Sequence, residues 1–259
     1  MESQETIQVA LIQSPLVWEN PSANRISFEE KIRAIKGKAD LVILPEMFTT
    51  GFTMSPEHVN RSEGTKTLEW MQFLAQDAHI ALTGSLVFPE NDAYFNRLFF
   101  VKPDGSFQYY NKRHTFTLAG EHKKYVAGTK RTIVDYKGFR FCPLICYDLR
   151  FPVWSRNTMD FDVLIYVANW PKPRISAWDA LLKARAIENM AYSIGVNRVG
   201  LDGLGYEYVG HSAAYDVLGN QLTFAGQEEI VFVTLDKQHI QKNREKLQFL
   251  EDRENFTLL

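Results

Sequence analysis

One cysteine in this chain stands where a nucleophile would be useful. In Leu144-Ile145-Cys146-Tyr147-Asp148-Leu149-Arg150-Phe151-Pro152, the apolar run 139–145 reads as a buried strand. Pro152 with Val153-Trp154-Ser155-Arg156 reads as the start of a helix, so Cys146 falls where a strand hands over to a turn. A thiol there is reachable while its backbone stays rigid, and the turn N–H of Tyr147 can point at a developing oxyanion. A lone cysteine in an apolar strand is more often an inert core residue, so catalysis requires partners from elsewhere. Cysteine attacks as thiolate and needs a base or a cation beside it.

The chain offers three such groups. Glu46 follows the apolar run Leu41-Val42-Ile43-Leu44 and Pro45, just beyond a strand end. Lys112 follows a hairpin, 95–101 and 106–110 around Pro103-Asp104-Gly105, with Tyr109, Tyr110 and Phe116 expected to wrap its amine in apolar surface. Glu121 sits in the glycine-bearing loop Leu118-Ala119-Gly120-Glu121-His122. Alone, Glu46 reads as a helix cap or a solvated carboxylate, Lys112 as a solvated lysine at a strand end, and Glu121 carries no signal. Strand ends on one sheet edge converge, however, and together the set makes chemical sense. Glu46 would take the thiol proton, give it to a leaving amine and later activate water. Lys112 and the Tyr147 N–H would hold the oxyanion, and Glu121 would keep Lys112 protonated and oriented.

The elements that have to place these groups alternate between strand and helix. Residues 6–13 form a strand with Ile7, Val9 and Leu11 on one side, and Asn20-Pro21 caps a helix whose stripe is Phe28, Ile32 and Ile35, ending at Gly37. After a loop over 49–64, Leu68, Met71, Leu74, Ala75 and Ala78 mark a second helix, and 80–87 a strand. A second hairpin, 132–136 and 139–146, turns at Lys137-Gly138 and ends at Cys146. The strand 162–168 ends at Asn169-Trp170-Pro171, where Trp170 reads equally as core or as pocket wall. The helix 178–190 carries small residues at Ala180, Ala184 and Ala186, with Arg185 and Glu188 either paired inside or solvated. Strands over 192–198, 208–217, 221–224 and 230–235 and a polar helix over 237–246 complete an α/β pattern of two mostly β layers covered by helices.

The 259 residues, 45% hydrophobic, suit one large domain over 1–259, with no linker, low-complexity run or fixed-period repeat. With 29 basic and 31 acidic residues, the net charge of -2 offers no field for nucleic acid or an anionic membrane, and a small-molecule partner is expected. The N-terminus lacks a signal-peptide pattern and no apolar run is long enough to span a bilayer, so the expectation is a cytoplasmic protein. Cys142 and Cys146, the two cysteines, are too far apart along a strand for a ready disulfide, which suits a reducing compartment. The histidines, His58, His79, His114, His122, His211 and His239, show no ligand spacing, so no metal or organic cofactor is expected. His114, two residues from Lys112, is a candidate for assisting in the pocket, and a Cys-His arrangement using His114 or His211 is the rival mechanism. A tail with Phe256, Leu258 and Leu259 is expected to pack on a partner subunit.

Leu44-Pro45-Glu46-Met47-Phe48, Tyr110-Asn111-Lys112-Arg113-His114 and Cys146-Tyr147-Asp148-Leu149-Arg150-Phe151-Pro152 resemble the three signature segments of the nitrilase, or carbon-nitrogen hydrolase, superfamily, in order and at similar spacings. The resemblance implies a four-layer α-β-β-α sandwich, a Glu46-Lys112-Cys146 triad, Glu121 as the second, structural glutamate, and a homodimer. Within the superfamily, the segments 151–157, 166–171 and 184–189 are most similar to bacterial omega-amidases, which hydrolyse the terminal amide of 2-oxoglutaramate and 2-oxosuccinamate. Such substrates carry a distal carboxylate, for which Arg150 is the expected cation, with Phe116 and Trp170 as walls. A buried ion pair of Arg150 with Asp148 or Glu188 is the competing reading. Nitrile, carbamoyl or other amide hydrolysis, or a non-catalytic binding role, are the alternatives to this function.

Overall fold

Alternation along the first strand sorts its side chains between two cores. In the computed structural model, which describes residues 5–257, Ile7, Val9 and Leu11 of β1 (Thr6–Gln13) join one apolar cluster, whereas Ala10 and Ile12 join another. The second cluster is roofed by α1 (Pro21–Ala34), through Phe28 and Ile32, and by α2 (Glu63–Ala78), through Leu68, Met71 and Leu74. As expected, Asn20 caps α1 by accepting the Ala23 N–H at 3.1 Å, with Pro21 at the first helical position.

β1 belongs to a six-stranded sheet with β2 (Leu41–Ile43), β3 (Ala81–Glu90), β4 (Ala93–Val101), β5 (Phe107–Asn111) and β14 (Glu229–Asp236), in the order β14-β1-β2-β3-β4-β5. The second six-stranded sheet contains β6 (Val134–Tyr136), β7 (Phe139–Ile145), β8 (Val163–Ala168), β9 (Tyr192–Asn197), β12 (Ser212–Tyr215) and β13 (Gln221–Ala225), in the order β13-β12-β9-β8-β7-β6. Each has three parallel strands at its centre, β1-β2-β3 and β7-β8-β9, flanked by antiparallel neighbours. The sheets face one another across the first cluster, where Leu98 and Phe100 meet Phe139 and Phe141. Trp178, Leu182 and Ala186 of α4 (Ile175–Asn189) cover the second sheet, and Gly195 of β9 leaves the space that Trp178 and Leu182 occupy. The result is the expected four-layer α-β-β-α sandwich.

Two features differ from expectation. The strand expected over 208–217 is broken at Gly210 and His211, whose φ values of +77° and +62° turn the chain out of the sheet. Its first part is instead β11 (Glu207–Val209), paired with β10 (Val199–Leu201) in a separate two-stranded ribbon. Further, α2 begins at Glu63, inside the region expected as loop. A short α3 (Pro152–Ser155) and the terminal α5 (Lys237–Leu247) match their predicted positions. Phe256 remains 40% exposed, and Leu258 and Leu259 of the expected tail contact lie outside the described residues. No helix among the described residues is long and apolar enough to cross a membrane.

Candidate active site

Because the central strands of each sheet run parallel, their C-terminal ends open on one side, and the candidate residues sit there. Glu46 lies just past β2 and Lys112 directly follows β5, both in the first sheet, whereas Cys146 directly follows β7 in the second. The site is therefore assembled between two sheets, not along the edge of one. Both turns are tight: Cys146 has φ +44° and Met47, after Glu46, has φ +43°. Left-handed backbone at a non-glycine residue costs roughly 1–3 kcal/mol and persists only where surroundings impose it.

The ionic cluster is fully buried, Glu46 and Glu121 at 0% exposure and Lys112 at 1%. The Lys112 ammonium donates to Glu46 Oε1 at 2.8 Å and to Glu121 Oε1 and Oε2 at 3.1 and 2.9 Å. Asn96, an unforeseen member on β4, donates to Glu46 at 2.8 Å and to Glu121 at 3.2 Å. Glu46 Oε2 accepts the Asn169 N–H at 2.8 Å, and Glu121 also accepts the Phe116 N–H. Burial alone would pull the Lys112 ammonium down. The charges of Glu121 and Glu46 more than offset it and hold the group above the usual lysine range. Burial pushes the Glu121 carboxyl up, partly countered by Lys112. The apolar surface beside the amine is Phe52, 5.0 Å from the ring centre, not the expected tyrosines: Tyr109 is 47% exposed and Tyr110 directs its hydroxyl to Asp148.

Burial and then the Glu46 charge push the Cys146 thiol well above its ordinary value, with Lys112 pulling the other way. At neutral pH it rests as a thiol, donating to the Asn169 carbonyl at 3.9 Å. Asn169, just past β8, thus touches both Cys146 and Glu46, and its side-chain amide also donates to the Glu46 carbonyl at 2.6 Å. The first N–H groups of the short turn over Cys146–Arg150, Tyr147 among them, lack acceptors within that turn.

Cys146 opens onto a cavity of about 370 Å³ lined by Phe116, Tyr147, Arg150, Trp170 and Arg174, with Tyr208 and the ribbon tip around Leu204 and Tyr206 overhead. Trp170 is both core and wall, only 3% exposed. Arg150 stacks on Trp170 at 4.9 Å and Arg174 on Phe116 at 5.2 Å. The ion-pair reading of Arg150 is not what the structure shows: Asp148 pairs with His114 and Glu188 with Arg185, leaving Arg150 and Arg174 without a carboxylate partner among the described residues. Asp202, a carboxylate on the cavity wall, is engaged by the N–H groups of Leu204 and Tyr206 and the Tyr208 hydroxyl, each at 2.9 Å.

His114 is a correction. Its ring lies flat on Phe151, 3.6 Å apart, with Nδ1 on Asp148 at 2.8 Å, and it is not part of the cavity wall. His211 pairs with Asp179 at 3.0 Å and, like His114, neither lines the cavity nor contacts the Cys146 thiol, so the groups beside that thiol are Glu46, Lys112 and Asn169 and not the histidines of the rival mechanism. Among the residues that sequence reading missed, Asn96 gave a signal as a polar residue inside an apolar strand. Arg174, in Pro171-Lys172-Pro173-Arg174, gave no signal in the sequence that it would line the cavity.

The carbon-nitrogen hydrolase family model matches residues 8–245 of the chain. The chain is 42% identical over 256 residues, 98% of its length and 99% of the other's, to omega-amidase YafV of Yersinia enterocolitica. It is 32% identical to the 2-oxoglutaramate amidase of Bacillus subtilis, covering 94% of this chain and 96% of that one. Its fold superimposes with a TM-score of 0.95, at 39% identity over 98% of this chain and 99% of the other, on a CN-hydrolase superfamily protein of Xanthomonas campestris with an arsenic adduct in the active site. Matched from its first strand to its last helix, the chain belongs to the carbon-nitrogen hydrolase family.

Proposed function

We propose that the protein is an omega-amidase that hydrolyses the terminal amide of 2-oxo dicarboxylic acid monoamides, 2-oxoglutaramate and 2-oxosuccinamate, to the 2-oxo dicarboxylate and ammonia. The observation that carries this reading is a thiol beside a buried Glu-Lys-Glu cluster, at the floor of a cavity whose two arginines have no carboxylate partner among the described residues. The cluster is suited to breaking an amide and the arginines to holding an anionic far end. Arg150 and Arg174 also disfavour the ammonium of an amino-acid amide. The names and identities of the relatives support the same substrate class.

In this mechanism Cys146 attacks the amide carbon as Glu46 takes the thiol proton, because a thiol held above its usual range needs a base at the moment of attack. Lys112 and the Tyr147 N–H stabilise the oxyanion. Glu46 returns the proton to departing ammonia, leaving a thioester. Water activated by Glu46 then releases the carboxylic acid and restores the thiol. Glu121 and Asn96 keep Lys112 and Glu46 in register throughout.

The proposal extends to a single domain over 1–259 acting as a cytoplasmic homodimer. Ile187, Leu218, Leu222 and Phe224, apolar side chains left exposed around α4 and β13, support the association. The test is ammonia release by the purified protein from 2-oxoglutaramate, glutamine, asparagine and a simple nitrile, with Cys146→Ala as control. Release from the oxo-acid amide alone, abolished in the variant, is expected. Turnover of the nitrile or the amino-acid amides in preference would replace the substrate assignment while keeping the hydrolase.

A further inference from the structure

Two residues before Lys112 and two residues after Cys146, one pair of side chains joins the strand that carries the ammonium to the turn that carries the thiol. Asp148 is 0% exposed. Its Oδ2 accepts the Ile145 N–H at 3.0 Å and the Tyr110 hydroxyl at 2.8 Å. Its Oδ1 accepts the His114 N–H at 3.0 Å and contacts His114 Nδ1 at 2.8 Å, which must donate to a carboxylate. Tyr110 and His114 bracket Lys112 at the end of β5, and Ile145 is the residue on which the strained turn of Cys146 begins.

The partners are themselves held. The Tyr110 hydroxyl accepts the indole N–H of Trp154 at 3.0 Å and the Arg113 N–H at 3.1 Å. His114 is stacked on Phe151, at 3.6 Å and an interplanar angle of 4°, so its ring cannot swing away without leaving that face. The two sheets are also tied through Glu46 and Asn169, which reach the Lys112 ammonium and the Cys146 thiol at their tips, whereas Asp148 holds the backbone beside both residues, at the N–H groups of His114 and Ile145. A buried carboxylate with donors from both sides is a stiff joint, since losing any one leaves an unpaired buried group.

We propose that Asp148 is a positioning residue, one that fixes the separation of the Cys146 thiol and the Lys112 ammonium across the two sheets by holding Tyr110, His114 and Ile145 at once. It touches neither substrate nor the reacting atoms. The inference rests on the reading of Cys146 as nucleophile and Lys112 as oxyanion cation, and it gives His114 a role behind the site in place of one within it.

The test is Asp148→Asn, which keeps the shape but offers one acceptor oxygen to groups that now use two. For a displacement on the order of 1 Å, kcat on the oxo-acid amide is expected to fall about 100-fold. KM should stay within about twofold, because the cavity-lining side chains are untouched. A second readout needs no substrate: the rate of Cys146 alkylation by iodoacetamide across pH 6 to 10. Lys112 favours the thiolate, so moving it away shifts that profile to higher pH, whereas loss of the Asp148 charge alone would shift it to lower pH. A folded Asp148→Asn with kcat within about threefold of the parent, or a profile shifted to lower pH, overturns the proposal. If Asp148→Asn does not fold, Tyr110→Phe and His114→Gln each remove one strut. Each is then expected to lower kcat about 3- to 10-fold, and parent-like kcat in both overturns it. A parent protein that releases no ammonia from any amide would instead sink the amidase reading and leave the alkylation arm to judge Asp148.

Discussion

β7 carries one thiol in its middle and delivers another at its end, and the two differ in the charged groups that surround them. Cys142 is 0% exposed inside the apolar core, and burial pushes its thiol up to about 12. Cys146 is 9% exposed, and its thiol too is pushed up by burial. Both rest neutral. The difference is in the neighbours: the Cys146 thiol feels the charges of Glu46 and Lys112 and opens onto a cavity, whereas Cys142 has apolar packing. A raised thiol is therefore no sign of inertness by itself, and the position past a strand end is what admits a base and a cation.

The largest expected effect breaks the reactive member of the pair. Cys146→Ala should lower ammonia release by about 10⁴-fold or more, measured at saturating oxo-acid amide, while Cys142→Ser keeps activity within about threefold. Comparable losses in both variants would erase the contrast. Glu46→Gln tests what distinguishes Cys146 chemically. It should cost about 10³-fold in kcat, and because it removes the negative charge that raises the thiol, alkylation of Cys146 should move to lower pH. An unmoved alkylation profile would show that Glu46 does not govern the thiol.

Lys112→Met removes the cation and leaves Glu46 and Glu121 buried without it, at a cost of about 3–5 kcal/mol in stability. Chemical denaturation checks this, and a variant as stable as the parent would mean that one carboxyl takes up a proton without strain. Arg150→Ala and Arg174→Ala should each raise KM for the oxo-acid amide about 10- to 100-fold, with kcat less affected. An unchanged KM in one of them would assign the distal carboxylate to the other.

The smallest effect belongs to Cys142. An unfolded thiol loses its proton near pH 9, whereas the folded one keeps it to about 12. Folding is thus fully supported below pH 9, and the support is lost as pH rises toward 12. Denaturation between pH 8 and 11 should show the parent losing up to about 1 kcal/mol per pH unit more than Cys142→Ser. Parallel curves would place Cys142 in a wetter setting than its packing indicates.

Apart from the break at Gly210 and His211 and the early start of α2, the sequence determined the strands, the helices and the chemical set, because each rests on local information. Alternation in 6–13, the Asn20-Pro21 cap and the apolar runs before Glu46 and Cys146 depend only on neighbours in the chain. Residue types at strand ends likewise announced Glu46, Lys112 and Cys146. What the tertiary structure decided was which groups face which. Asn96 and Glu121, 25 residues apart, meet each other beside Lys112 only because β4 and the loop after β5 fold together. Arg174 becomes a cavity wall only when α4 packs on the second sheet, and His114 leaves the cavity because Asp148 holds it from the other sheet. Periodicity fixes which side of an element a residue occupies. The direction in which a turn residue points depends on partners 30 or more positions away, such as Asp148 for His114, 34 residues along the chain, and no local pattern encodes them.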